Sequence, residues 1–121
     1  MIRMPTGVLA MLMSLGLAGS AWAHAHLLSA DPGGAVVAAS PTSLSLTFSE
    51  GLEIGFTGIS LTSASGAAIL TRTAHLAPGD DKVLVIPLAQ PLGLGTYTVR
   101  WHALSADGHT THGTYSFTIK P

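Results

Sequence analysis

The chain has 121 residues, 47% of them hydrophobic and only 9% charged, with six histidines, no cysteine and a formal net charge of −1. So small and slightly negative a charge gives no basis for a nucleic-acid or anionic-membrane partner, which would require a basic patch. Without thiols there are neither disulfides nor thiolate metal sites, and a bound metal must rely on imidazole, carboxylate or amine groups.

The first 23 residues have the form of a secretory signal peptide. Arg3 supplies the positive start, Val8 to Leu17 an apolar run, and Ala21-Trp22-Ala23 the small-residue pattern before a cut. The apolar run falls well short of the roughly 20 residues that span a bilayer. Cleavage after Ala23 would leave residues 24–121 as one small domain, exported to the periplasm and not embedded in the membrane. All four methionines (Met1, Met4, Met11, Met13) would leave with the leader, and six acids against four bases would give a net charge of −2.

From there the pattern is that of short strands between turns. A first strand is expected over His26 to Ala30, ended by Asp31-Pro32-Gly33-Gly34, and a short strand or link over Val36 to Ala39. Leu44, Leu46 and Phe48 alternate with Ser45, Thr47 and Ser49, the period of a half-buried strand. Ile59 and Leu61 alternate likewise, and a weaker run follows around Ala67 to Thr71. Pro78 to Asp81 reads as a polar turn, and Val83 to Ile86 as a strand covered on both faces or nearly so. Tyr97, Val99, Trp101 and Ala103 alternate with polar residues, and a last strand after Gly113 carries Tyr115, Phe117 and Ile119. The spacing predicts an all-β domain of about seven strands, an immunoglobulin-like Greek-key sandwich, with an antiparallel barrel as the alternative. Leu44, Leu46, Phe48, Ile59, Leu61, Leu84, Ile86, Tyr97, Val99, Trp101, Tyr115, Phe117 and Ile119 are the expected core.

The histidines are the departure from an ordinary sandwich. Asp107 and His109 flank Gly108 in the loop before the last strand, where a carboxylate and an imidazole can point the same way. His24, once first in the chain, would offer both an imidazole and an α-amine. His26, in third place, could instead complete a peptide chelate of copper(II) through the amine, two deprotonated amides and its own imidazole. His112, three residues on and just before Gly113, reads as a ligand or a solvated loop residue, His102 belongs to the polar face of its strand, and His75 has no partner near it in sequence. Nitrogen and oxygen donors without sulfur favour a tetragonal copper(II) site, with nickel or zinc also compatible.

Several segments together resemble the CopC family of periplasmic copper-resistance and copper-homeostasis proteins. They are the histidine at the processed terminus, Ser29-Ala30-Asp31-Pro32, Leu44 to Glu50, Gly95 to Trp101, Ser105 to His109, and Gly113 to Phe117. The resemblance implies a Greek-key β-domain that binds copper(II) through His24 and His109, with Asp107 as ligand or close neighbour, and a CopD-like inner-membrane partner. Some members carry a methionine-rich copper(I) site in mid-chain; here the corresponding region, about Leu61 to Pro78, has no methionine and only His75. The expected function is non-catalytic copper binding for sequestration, delivery or resistance. The alternative is a copper-dependent oxidative enzyme with an N-terminal histidine brace.

Overall fold

The computed structural model describes residues 25–121, so the expected leader and His24 lie outside the described residues. Eight strands follow in chain order: β1 (Leu27–Asp31), β2 (Val36–Val37), β3 (Ser43–Phe48), β4 (Gly58–Ser63), β5 (His75–Ala77), β6 (Asp80–Pro87), β7 (Gly95–Leu104) and β8 (Thr110–Ile119). They form two four-stranded sheets, β1-β3-β6-β5 and β2-β8-β7-β4. Each sheet has two edges, so the fold is a sandwich and not a closed barrel. All pairings are antiparallel except that of the two-residue β2 with β8.

Alternation builds the core. In β3, Leu44, Leu46 and Phe48 are buried while Ser43, Ser45 and Thr47 are half-buried. They face Val99, Phe117 and Ile119 of the second sheet, and each such burial is worth about 1.5–3 kcal/mol. Phe48 meets Trp101 edge-on at 5.2 Å between ring centroids, and Tyr97 stacks on Phe117 at 5.7 Å. Leu84 and Ile86 are buried, whereas Val83 and Val85 are half-buried, so β6 is covered fully on one face only. Ile59, Trp101 and Tyr115 are partly buried around this core, and Ala25, Leu52, Leu88 and Ala103 are buried within it.

Three departures from the sequence reading matter. β5 is only three residues long, too short to show a period, and it pairs with β6 in a segment where no strand was expected. β6 begins at Asp80, so the turn before it is tighter than expected. β8 begins at Thr110, three residues before Gly113, and its register with β7 runs unbroken through ten residue pairs. Gly113 is therefore mid-strand, opposite Trp101. A Cβ there would lie 2.5 Å from Trp101 Cζ2, so glycine is required by the indole lying against it. Among the described residues no helix is long and apolar enough to cross a membrane.

Candidate metal centre

Because β8 starts early, the loop joining it to β7 is reduced to Ser105 through His109. The turn closes through Gly108 N–H donating to the Ser105 carbonyl (2.9 Å) and Ser105 N–H donating to the His109 carbonyl (3.0 Å). Gly108 has φ +92°, a conformation that costs glycine little and other residues much. Ala106 N–H donates to the Gly51 carbonyl (2.9 Å), and Leu104 N–H to Thr57 Oγ1 (3.0 Å), so the neighbouring segment anchors the loop.

Within that frame Asp107 Oδ1 collects the donors. The hydroxyl of buried Ser105 donates to it, His109 N–H donates to it at 3.2 Å, and His109 Nδ1 lies 3.2 Å away. The Ser105 hydrogen bond is the main reason that the Asp107 carboxyl lies below its ordinary pKa; desolvation opposes this, and the bonds and charge of His109 add to it. Asp107 is thus an ionised carboxylate that holds one ring nitrogen of His109. A carboxylate on one ring nitrogen is a common way of orienting an imidazole that binds metal through the other. The two side chains are 41% and 53% exposed respectively, open to an ion from solvent.

The first of the described residues are tied to the same region. Ala25 is fully buried, and its carbonyl accepts a hydrogen bond from Thr111 Oγ1 at 2.8 Å, across 86 positions of sequence. His26 N–H donates to Ser49 Oγ (2.8 Å), and Ser49 N–H returns a bond to the His26 carbonyl (2.9 Å). The residue following His24 is therefore docked beside the strand that begins directly after His109. Asp107 and His109 are brought together; His24 falls outside the described residues. Among the described residues no group of three or more His, Asp or Glu side chains gathers to hold a metal.

His112 is not part of the loop, contrary to the sequence reading. It is an exposed strand residue directly opposite His102, placed there by the early start of β8. His26 is exposed and its backbone is engaged in pairing with Ser49. His75 lies on β5 in the other sheet, with Nδ1 3.2 Å from the Leu76 carbonyl oxygen. Sequence reasoning gave no role to Ser105, Ser49 or Thr111. Of these only Ser105 carried a signal, a hydroxyl two residues before Asp-Gly, the pattern of a side-chain-capped turn.

This is a two-sheet β domain with a carboxylate-backed histidine beside its docked N-terminal segment. A CopC domain family model matches residues 27–120, and the chain belongs to the CopC family. It is similar to the protein YobA of Escherichia coli (strain K12), with 45% identity over 113 residues, covering 93% of this chain and 91% of that one. The crystal structure of CopC from Methylosinus trichosporium OB3b superposes with a TM-score of 0.75 at 32% identity, covering 81% of this chain and 95% of that one. The structure of PcoC, a methionine-rich copper resistance protein from Escherichia coli, gives a TM-score of 0.73 at 38% identity, covering 81% and 100%.

Proposed function

We propose that this protein is a periplasmic copper(II)-binding protein serving copper resistance, sequestration or delivery. The ion is its cargo. His109, through Nε2, and His24, through its imidazole and the α-amine freed by cleavage after Ala23, would hold the ion, with Asp107 orienting His109. Membership of the CopC family and the copper-resistance role of a related protein support the metal; the nitrogen and oxygen donor set supports the divalent ion.

The observation that carries this reading is the hydrogen bond from Thr111 Oγ1 to the Ala25 carbonyl, which brings the residue after His24 beside the Asp107–His109 loop. The same contacts disfavour a terminal peptide chelate. Such a chelate needs the amide nitrogens of Ala25 and His26, and the His26 N–H is committed to Ser49. An oxidative enzyme is less well supported: Phe56 is the one exposed Phe, Tyr or Trp ring among the described residues, which offers no extended stacking platform for a polymer. A CopD-like inner-membrane protein would be the recipient of the ion.

The test is electron paramagnetic resonance of the exported, processed protein with one equivalent of copper(II). Loss of the native spectrum in both His24→Ala and His109→Ala is expected. A spectrum indifferent to His109→Ala and abolished by His26→Ala would overturn the reading in favour of the peptide chelate.

A further inference from the structure

The outer face of the second sheet carries a second pair of imidazoles. His102 of β7 and His112 of β8 are register partners, both exposed. Directly opposed residues on one face of an antiparallel pair hold their Cβ atoms about 4.5–5.5 Å apart. That separation suits two imidazoles sharing one ion at metal–nitrogen distances of about 2.0–2.1 Å. On the other side of His102 its register partner is Gly58 of β4. A Cβ at Gly58 would lie 3.4 Å from His102 Cε1 and 3.6 Å from Nε2, ordinary contact distances, so the ring rests over the bare backbone of Gly58.

We propose that His102 and His112 form a second metal site, a two-imidazole clamp for copper(II) or a similar divalent ion, completed by water. In the structure His102 lies over Gly58. Turning about its side-chain bonds brings it toward His112, a rotamer change that exposed residues make in picoseconds to nanoseconds. Binding therefore requires no movement of the backbone, because the register of β7 with β8 already sets the span. Arg100 and Thr114 occupy the next pair along one direction of this face, and Leu104 and Thr110 the next along the other. A neighbouring guanidinium and the absence of a carboxylate in these rows make the clamp weaker than a site with a charged donor. It would take a second equivalent, after the first is bound. Residues 102 and 112 project from the opposite face of the sheet to Thr111, the residue that holds Ala25, so the clamp does not depend on the proposed His24–His109 site.

The experiment uses the exported, processed protein titrated with copper(II) through two equivalents, followed by electron paramagnetic resonance and by paramagnetic broadening of amide signals in nuclear magnetic resonance. His102→Gln and His112→Gln are compared with His75→Gln, an exposed histidine on the other sheet. The second equivalent is expected to broaden Gly58, His102 and His112, and to bind more weakly by roughly tenfold or more in either clamp variant but not in His75→Gln. The inference is overturned if no second equivalent binds, if both clamp variants retain it, or if its broadening is confined to Ala25 and His26. Loss of the first equivalent in His112→Gln would also overturn it, by assigning His112 to the loop site. Failure of the His24–His109 reading has a different signature, a first equivalent insensitive to His109→Ala.

Discussion

His109 and His112 are three residues apart, yet they are held by different means. His109 is fixed locally: a five-residue turn, a glycine with positive φ and a carboxylate anchored by Ser105 set the direction of its ring. His112 is fixed globally, by the ten-pair register between β7 and β8, which places it opposite His102 and leaves its ring to choose a rotamer. The first arrangement prepares one imidazole in advance; the second prepares only a distance. Preorganisation favours affinity, because less freedom is lost on binding.

Changes aimed at each kind of restraint should separate these two contributions. Gly113→Val strikes the register, since even its Cβ would overlap Trp101. Overpacking of this kind costs about 1–3 kcal/mol, and a fall in Tm of roughly 4–8 °C per kcal/mol is expected for a domain of this size. A thermal melt indistinguishable from the parent would mean that Trp101 swings away freely and that the register is softer than argued. Ser105→Ala strikes the local network. It should weaken copper binding by about 10–100-fold, the usual consequence of removing the groups that orient a ligand, with a smaller fall in Tm than Gly113→Val. Competition titration against a chelator measures it, and unchanged affinity would show that Asp107 needs no anchor.

Thr111→Val acts between the two, removing the bond to Ala25 while keeping the shape of an inward-facing strand residue. Its expected cost is about 1 kcal/mol by chemical denaturation, together with weaker copper binding if the N-terminal segment supplies a ligand. The smallest effect concerns acid. Asp107 titrates below its ordinary value of 3.8 when folded, so its contribution to stability is complete above that value and is lost as pH falls through the lower, folded-state pKa. Asp107→Asn should flatten the acid limb of the stability curve below about pH 3.8 without altering it near neutrality. An equally steep limb in the variant would assign acid sensitivity to other carboxylates.

These distinctions also mark what the sequence could convey. β3 and β7 were readable because each buries one face, which writes a period of two directly into Leu44-Ser45-Leu46-Thr47-Phe48 and into Tyr97 to Ala103. The pairing of Asp107 with His109 was readable from Asp-Gly-His because that spacing forces proximity. Gly113 misled because glycine marks both a turn and a close approach, and only the opposing Trp101 distinguishes them. β5 was too short to establish a period. The burial of Ala25 was hidden by the smallness of its side chain, which says little about whether it lies inside, and the anchoring of its carbonyl by Thr111 depends on a contact 86 positions away.

The docking of Ala25 and His26 bears on how a bound ion would leave. In the proposed site the two ligand halves belong to different parts of the chain, and the backbone next to His24 is fastened by the hydroxyls of Thr111 and Ser49. A recipient need not outcompete His109 for the metal. In that proposed, processed form, peeling the segment around Ala25 and His26 away from β8 would separate the halves and lower the grip on the ion at once, so unloading would be a mechanical event.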